Sequence, residues 1–129
     1  MTFGGTSIVL GLRKPAMKDN PILNLTFDFA IEVVRYCELL EARRKFVIGN
    51  QLLKSGTSIG ANVREAQNPH SRADFKAKMV IAMKEADETE YWLTICRAMP
   101  SYPECDYLID KIDIIKKILG KIITTSAKG

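Results

Sequence analysis

Ser71-Arg72-Ala73-Asp74-Phe75-Lys76-Ala77-Lys78-Met79-Val80-Ile81-Ala82-Met83-Lys84-Glu85-Ala86-Asp87-Glu88-Thr89-Glu90-Tyr91-Trp92-Leu93-Thr94-Ile95-Cys96 is the stretch that decides the fold. Within it Phe75, Met79, Ala82, Ala86, Thr89, Leu93 and Cys96 step by four and three residues without a break. That spacing lines one face of an amphipathic helix and shares nothing with the two-residue period of a strand. Asn68-Pro69-His70-Ser71 ahead of it is a turn signal, and Ser71 with Asp74 three residues on has the arrangement of a capping box. Pro100-Ser101-Tyr102-Pro103 stops the helix, because proline lacks the N–H that the next turn requires.

The neighbouring segments repeat the pattern. Before the quoted stretch, Gly49, Leu52, Gly56, Ile59, Val63 and Ala66 fall at three- and four-residue intervals and predict a helix from about Phe46 to Gln67, with Glu41-Ala42-Arg43-Arg44-Lys45 as the turn into it. Earlier still, Asn20 is a good N-cap and Pro21 a good first helical residue. The helix they open runs to Leu40 with Thr26, Ala30, Val33, Cys37 and Leu40 inward and Phe29 and Tyr36 alongside. After the prolines, Leu108, Ile112, Ile115, Leu119 and Ile122 mark a fourth helix that fades into a Ser/Lys/Gly tail. Four helices with short connections predict an all-α, antiparallel up-down-up-down four-helix bundle. The expected bundle covers residues 20–127, with 1–19 as an N-terminal extension of which residues 1–16 read as an arm able to dock on a neighbour; Met17 is a candidate natural start.

A chain of 129 residues, 47% apolar and 26% charged, is one domain long and large enough to bury a core without disulfides or metals. No run reaches the roughly 18 apolar residues of a membrane span, and no secretory signal pattern is present, so a cytoplasmic location is expected. Cys37, Cys96 and Cys105 are odd in number and lack C-x-x-C spacing, which predicts buried free thiols. The net charge of +4 is unevenly spread: residues 41–84 hold nine Lys/Arg against three Asp/Glu, and residues 85–113 hold two against eight. Such polarity suits neighbouring elements that attract one another, and equally a basic surface for a polyanion.

Catalytic constellations are thin. Metal sites in helical bundles use Glu and Glu-x-x-His ligands, and the acidic group Glu85, Asp87, Glu88 and Glu90 has no histidine at that spacing; the one histidine, His70, falls in a turn. Neither a metal nor another cofactor is expected, and no catalytic residue. Lys54-Ser55-Gly56-Thr57-Ser58-Ile59-Gly60 has neither the order of a phosphate loop nor a strand before it. Its small residues, Gly56 and Gly60 with Ala61, read better as points where another helix approaches closely. On the opposite face of that helix Arg43, Lys54 and Arg64 make a basic stripe that Arg72, Lys76 and Lys84 extend, a candidate contact for the phosphates of RNA or DNA. The alternative is a solvated face that pairs with acidic residues of another subunit. Ile81, Trp92, Ile95 and Met99 beside the core stripe of helix three, with Ile114 and Ile118 of helix four, widen the apolar arc beyond one core-facing seam. Surplus of that kind predicts a homo-oligomer interface.

Two blocks carry a family resemblance: Gln51-Leu52-Leu53-Lys54-Ser55-Gly56-Thr57-Ser58-Ile59-Gly60-Ala61-Asn62-Val63-Arg64-Glu65-Ala66, and Ala82-Met83-Lys84-Glu85-Ala86-Asp87-Glu88-Thr89-Glu90-Tyr91-Trp92-Leu93, with Asp74-Phe75-Lys76 between them. Over roughly residues 20–125 the chain resembles the four-helix bundle proteins encoded in intervening sequences of bacterial 23S ribosomal RNA genes, to which accessory variability determinants of diversity-generating retroelements are related. The resemblance implies a four-helix protomer, a ring-shaped homopentamer and no catalytic activity. For the retroelement branch it implies a basic nucleic-acid-binding surface and a reverse transcriptase as partner. Two classes of function follow: a non-enzymatic oligomeric scaffold on a nucleic acid backbone, or a structural or protein-interaction module whose charges serve subunit contacts.

Overall fold

The computed structural model describes residues 2–3, 6–7 and 19–128. Four helices account for nearly all of them: α1 (Pro21–Ala42), α2 (Phe46–Glu65), α3 (Arg72–Ala98) and α4 (Asp106–Lys128). Each packs on the next, and α4 returns to α1, which closes an antiparallel four-helix bundle with four outer faces: α1/α2, α2/α3, α3/α4 and α1/α4. Ahead of it, Thr2–Phe3 pairs antiparallel with Thr6–Ser7. The sequence reading placed no strand there, because two residues are too few to show an alternating pattern. Residues 1, 4–5 and 8–18 of the expected extension, Met17 among them, lie outside the described residues.

Helix ends follow local chemistry. Asn20 Oδ1 accepts the N–H of Leu23 at 3.2 Å, while its Nδ2 donates to Gln67 Oε1 at 2.9 Å and so ties the start of α1 to the end of α2. Gln67 also donates to the Val63 carbonyl, which caps α2 two residues earlier than its periodicity suggests. At α3 the Asp74 N–H donates to Ser71 Oγ, the N-cap half of a capping box, while Asp74 Oδ2 accepts from the N–H of His70, one residue before the cap, both at 3.0 Å. The α1–α2 turn is closed by Lys45 N–H to Leu40 O and Arg44 N–H to Glu41 O, each 2.8 Å, with Arg44 at φ 63°. A Schellman cap normally places glycine there, since a side chain in that region costs about 1 kcal/mol.

The core runs the length of the bundle. All six inward positions named for α2 are buried, as are those of α3 except Phe75, which is half-buried, and those of α4 up to Leu119. On α1 the seam is Ile22, Thr26, Phe29, Val33, Tyr36, Cys37 and Leu40, so Phe29 occupies the place that the spacing assigned to Ala30. Ala30 instead looks onto the α1/α2 groove. Polar side chains in this core are satisfied locally: Thr26 donates to Ile22 O at 2.8 Å, and Thr89 donates to Ser55 Oγ at 3.0 Å across α2 and α3. No buried side-chain nitrogen or oxygen among the described residues lacks a partner, as close packing demands. Cys37, Cys96 and Cys105 are free and buried.

Candidate functional site

Among the described residues no three His, Cys, Asp or Glu side chains stand where they could share a metal ion. The buried polar cluster at one end of the core is structural. Tyr36 Oη donates to Pro103 O at 2.6 Å, Cys37 Sγ to Gly49 O at 3.4 Å, and Cys105 Sγ to Leu93 O at 3.5 Å. Burial pushes the thiols of Cys37 and Cys96 up to about 12 and about 11, and that of Cys105 upward as well. Thiols held protonated in this way are poor nucleophiles. The Lys54–Gly60 stretch lies in mid-α2, where its N–H groups are spent on the helix and cannot cradle a phosphate.

The glycines of that stretch carry the closest helix approach. A Cβ on Gly56 would lie 2.8 Å from Val33 Cγ1, and one on Gly60 would lie 3.2 Å from the Thr26 carbonyl oxygen, so α1 and α2 touch at backbone range. Ala61 lies elsewhere: it is exposed and lines the outer α1/α2 groove.

The six basic residues do not form one stripe. Arg43 caps α1, not α2, and its Nη1 donates to Ser101 O at 2.7 Å, which fastens the α1–α2 turn to the α3–α4 loop. Lys54 neighbours Glu85 of α3, where its charge opposes the rise in the Glu85 pKa caused by burial and by Glu88. Arg64 lines the α1/α2 groove. On α3, Lys78 reaches Glu65 of α2 at 2.9 Å, whereas Lys76 stands seven residues before Met83, which faces Gly120 of α4. Arg72 and Lys76 therefore turn toward α4. Lys84 is exposed. Helical projection of α2 alone could not foresee this, since it ignores which neighbour flanks each side.

The antiparallel register adds a residue that the sequence reading left out. Gly120 lies against Met83, and Lys116 bridges Asp87 and Glu90, both at 2.9 Å, so Lys121 stands level with the turn of α3 that carries Lys84. Residues 72–84 and 114–128 together hold eight Lys/Arg against one Asp, and this basic half of the α3/α4 layer abuts the acidic half built from 85–113. Arg72, Lys76, Lys84 and Lys121 enter no ion pair among the described residues. The basic tail of the chain was the available signal for Lys121.

The surplus apolar residues also part company. Ile81 and Trp92, four residues before and seven after Glu85, share its α2-facing side of α3, with Trp92 donating to Glu88 Oε2 at 3.0 Å, while Ile95 is turned further outward and Met99 is the cap beyond the last turn. Ile114 and Ile118 follow Lys111, whose ammonium pairs with Glu32 of α1, and so lie on the α1/α4 face. These are opposite sides of the bundle. Ile81, Met99 and Ile114 are exposed; Trp92, Ile95 and Ile118 are half-buried. A third apolar surface, unforeseen in the sequence, is the α1/α2 groove. It holds one recess of about 210 Å³ beside Val34, Phe46 and Leu53, and another of about 240 Å³ beside Leu23, Phe27 and Ala61.

These features define a helical bundle with charged and apolar outer surfaces. The match to known proteins narrows that class. Residues 18–121 match the model of the 23S rRNA-intervening sequence protein family, and the chain belongs to that family. It is similar, at 40% identity and a TM-score of 0.76, to the crystal structure of a protein of unknown function from the S23 ribosomal protein family of Bacteroides thetaiotaomicron. The likeness covers 79% of this chain and 97% of that one. No curated protein matches. None of the helices is long and apolar enough to cross a membrane among the described residues.

Proposed function

We propose that the chain is a non-enzymatic, cytoplasmic, homo-oligomeric scaffold that holds the phosphate backbone of RNA or DNA on the basic half of its α3/α4 layer. The observation that carries this reading is the juxtaposition of residues 72–84 with 114–128, which concentrates positive charge that neither segment holds alone. Without interleaved aromatics the surface would contact phosphates and read no bases, so binding should be salt-steep and sequence-tolerant. Exposed Ile81, Met99, Tyr107 and Ile114 on more than one face support assembly of several copies, with the pentameric ring implied by the family resemblance as the form to test.

A mobility-shift series over salt with mixed RNA and DNA tests the ligand. Arg72→Ala/Lys76→Ala/Lys84→Ala/Lys121→Ala should abolish the shift, and each single change should lower the salt slope by about 1. Lys54→Ala should do less, because Glu85 already sits beside it. Absence of any shift at low salt would sink this reading. It would favour the second one, a protein-interaction module with a partner such as a reverse transcriptase, whose charges hold helices together as Lys78–Glu65 and Lys116–Asp87/Glu90 do.

A further inference from the structure

Three of the four outer faces are pinned by ion pairs. Lys78–Glu65 crosses α2/α3, Lys116–Asp87/Glu90 crosses α3/α4, and Lys111–Glu32 crosses α1/α4. Among the described residues none crosses α1/α2, where the two recesses lie. The recesses differ in chemistry. Glu38, Glu41 and Lys45 line the one beside Phe46, so both signs of charge face it. In the one nearer the start of α1, Arg64 is the single charged residue of the lining, and no carboxylate is beside it there.

This second recess follows from side-chain size. Gly60 brings α2 so close to α1 that a Cβ there would stand 3.2 Å from the Thr26 carbonyl oxygen, and Ala30 and Ala61 add only methyl groups. Leu23 and half-buried Phe27 make taller walls, which leaves about 240 Å³ between them and Arg64. Backbone contact fixes the floor, so the recess is formed before any ligand arrives. Its polar groups leave one role open. Thr57 Oγ1 donates to Leu53 O at 2.7 Å, so its proton is committed and its oxygen can only accept. The N–H groups of Gly60 and Ala61 are spent within α2. Arg64 enters no ion pair among the described residues and offers planar, forked N–H donors that match both oxygens of a carboxylate.

We propose that this recess binds a medium-chain aliphatic monocarboxylate, with the tail against Leu23, Phe27 and Ala61 and the carboxylate on the Arg64 guanidinium. One positive charge in an otherwise apolar lining is complementary to one negative charge on an apolar body, and it repels a cation. Exposed Val34 and Leu53 carry the apolar path on toward the other recess, a course that a flexible chain can follow and a rigid ring cannot. The site lies on the α1/α2 face, opposite the basic half of the α3/α4 layer, so it is independent of the nucleic acid reading and stands or falls separately. A polyanion such as RNA has no tail to fill it.

Equilibrium dialysis of the full chain against radiolabelled octanoate reads the outcome, with circular dichroism confirming that each variant is helical. Octanoate should occupy one saturable site per chain, and affinity should rise by up to about fourfold per methylene from butanoate to octanoate as more tail is buried. Octylammonium should not displace it, and octan-1-ol should do so about tenfold more weakly, since it lacks the charge that Arg64 meets. Arg64→Gln should lower octanoate affinity by about tenfold and leave the binding of labelled octan-1-ol unchanged. Ala61→Phe, at an exposed position on the rim, should fill the recess and abolish binding of both probes without loss of helix. No saturable uptake at millimolar octanoate overturns the proposal. So does an octanoate affinity that neither Arg64→Gln nor Ala61→Phe changes, or one that octylammonium competes for as well as octanoate itself.

Discussion

The α1/α2 seam and the α3/α4 seam join antiparallel helices in two different ways. On the first side, Gly56 and Gly60 let the helices come together, and Val33 sits where a Gly56 Cβ would have to go. On the second, Met83 reaches across to Gly120 at an ordinary 3.6 Å from its would-be Cβ, and the Lys116 ammonium spans to Asp87 and Glu90. A contact made by backbone proximity has no give, because nothing flexible stands between the two rods. Long side chains absorb change by shifting rotamer. The difference explains why one seam leaves a recessed apolar groove outside it and the other presents a charged surface.

The comparison breaks most clearly at Gly56. Gly56→Leu forces a side chain into Val33 and should cost about 3 kcal/mol or more, seen as loss of a cooperative thermal transition. A variant melting like wild type would show that α1 and α2 do not depend on that approach. Tyr36→Phe removes the donor to Pro103 O at the end where both seams meet the α3–α4 loop, and should cost about 1–2 kcal/mol in a urea melt.

Alkali sharpens the comparison through the thiols. The folded pKa values of Cys37 and Cys96, about 12 and about 11, lie above their ordinary 9.0, so above pH 9 the unfolded chain loses protons that the folded chain keeps. Stability is therefore full below pH 9 and falls as pH rises through 11 to 12. Melting temperature should decline over that window, and Cys37→Ala should flatten the decline at its upper end. Equal slopes in both proteins would count against a buried, neutral Cys37.

Gly120→Ala sits at the forgiving seam, where the added methyl meets Met83 at normal contact and the helix gains propensity. It should stabilise by up to about 1 kcal/mol, the opposite sign to a change at Gly56. Lys116→Ala should matter least, about 0.5–1 kcal/mol and less in high salt, because Lys116 and both its partners are partly in water.

Much of the architecture was readable from residue spacing. The three-four steps of α2 and α3 named core positions that the structure buries, and Asn20 and Ser71 marked helix starts that their side chains do cap. Phe29 was harder, since Ala30 and Phe29 both fit the same arc and only packing decides which reaches the axis. The surfaces were harder still. Arg43 reads as part of α2 by projection yet caps α1, and Ile81 and Ile114 read as one apolar surplus yet occupy opposite sides.

By itself the sequence determined four amphipathic helices, their order and the face each one hides, because periodicity is a property of one chain segment and its own helical turn. Only the tertiary structure decided which flank of each helix meets which neighbour. That choice brought Lys121 level with Lys84, laid Lys54 beside Glu85 and left the α1/α2 groove open, since side-by-side placement depends on register between segments that the chain holds far apart.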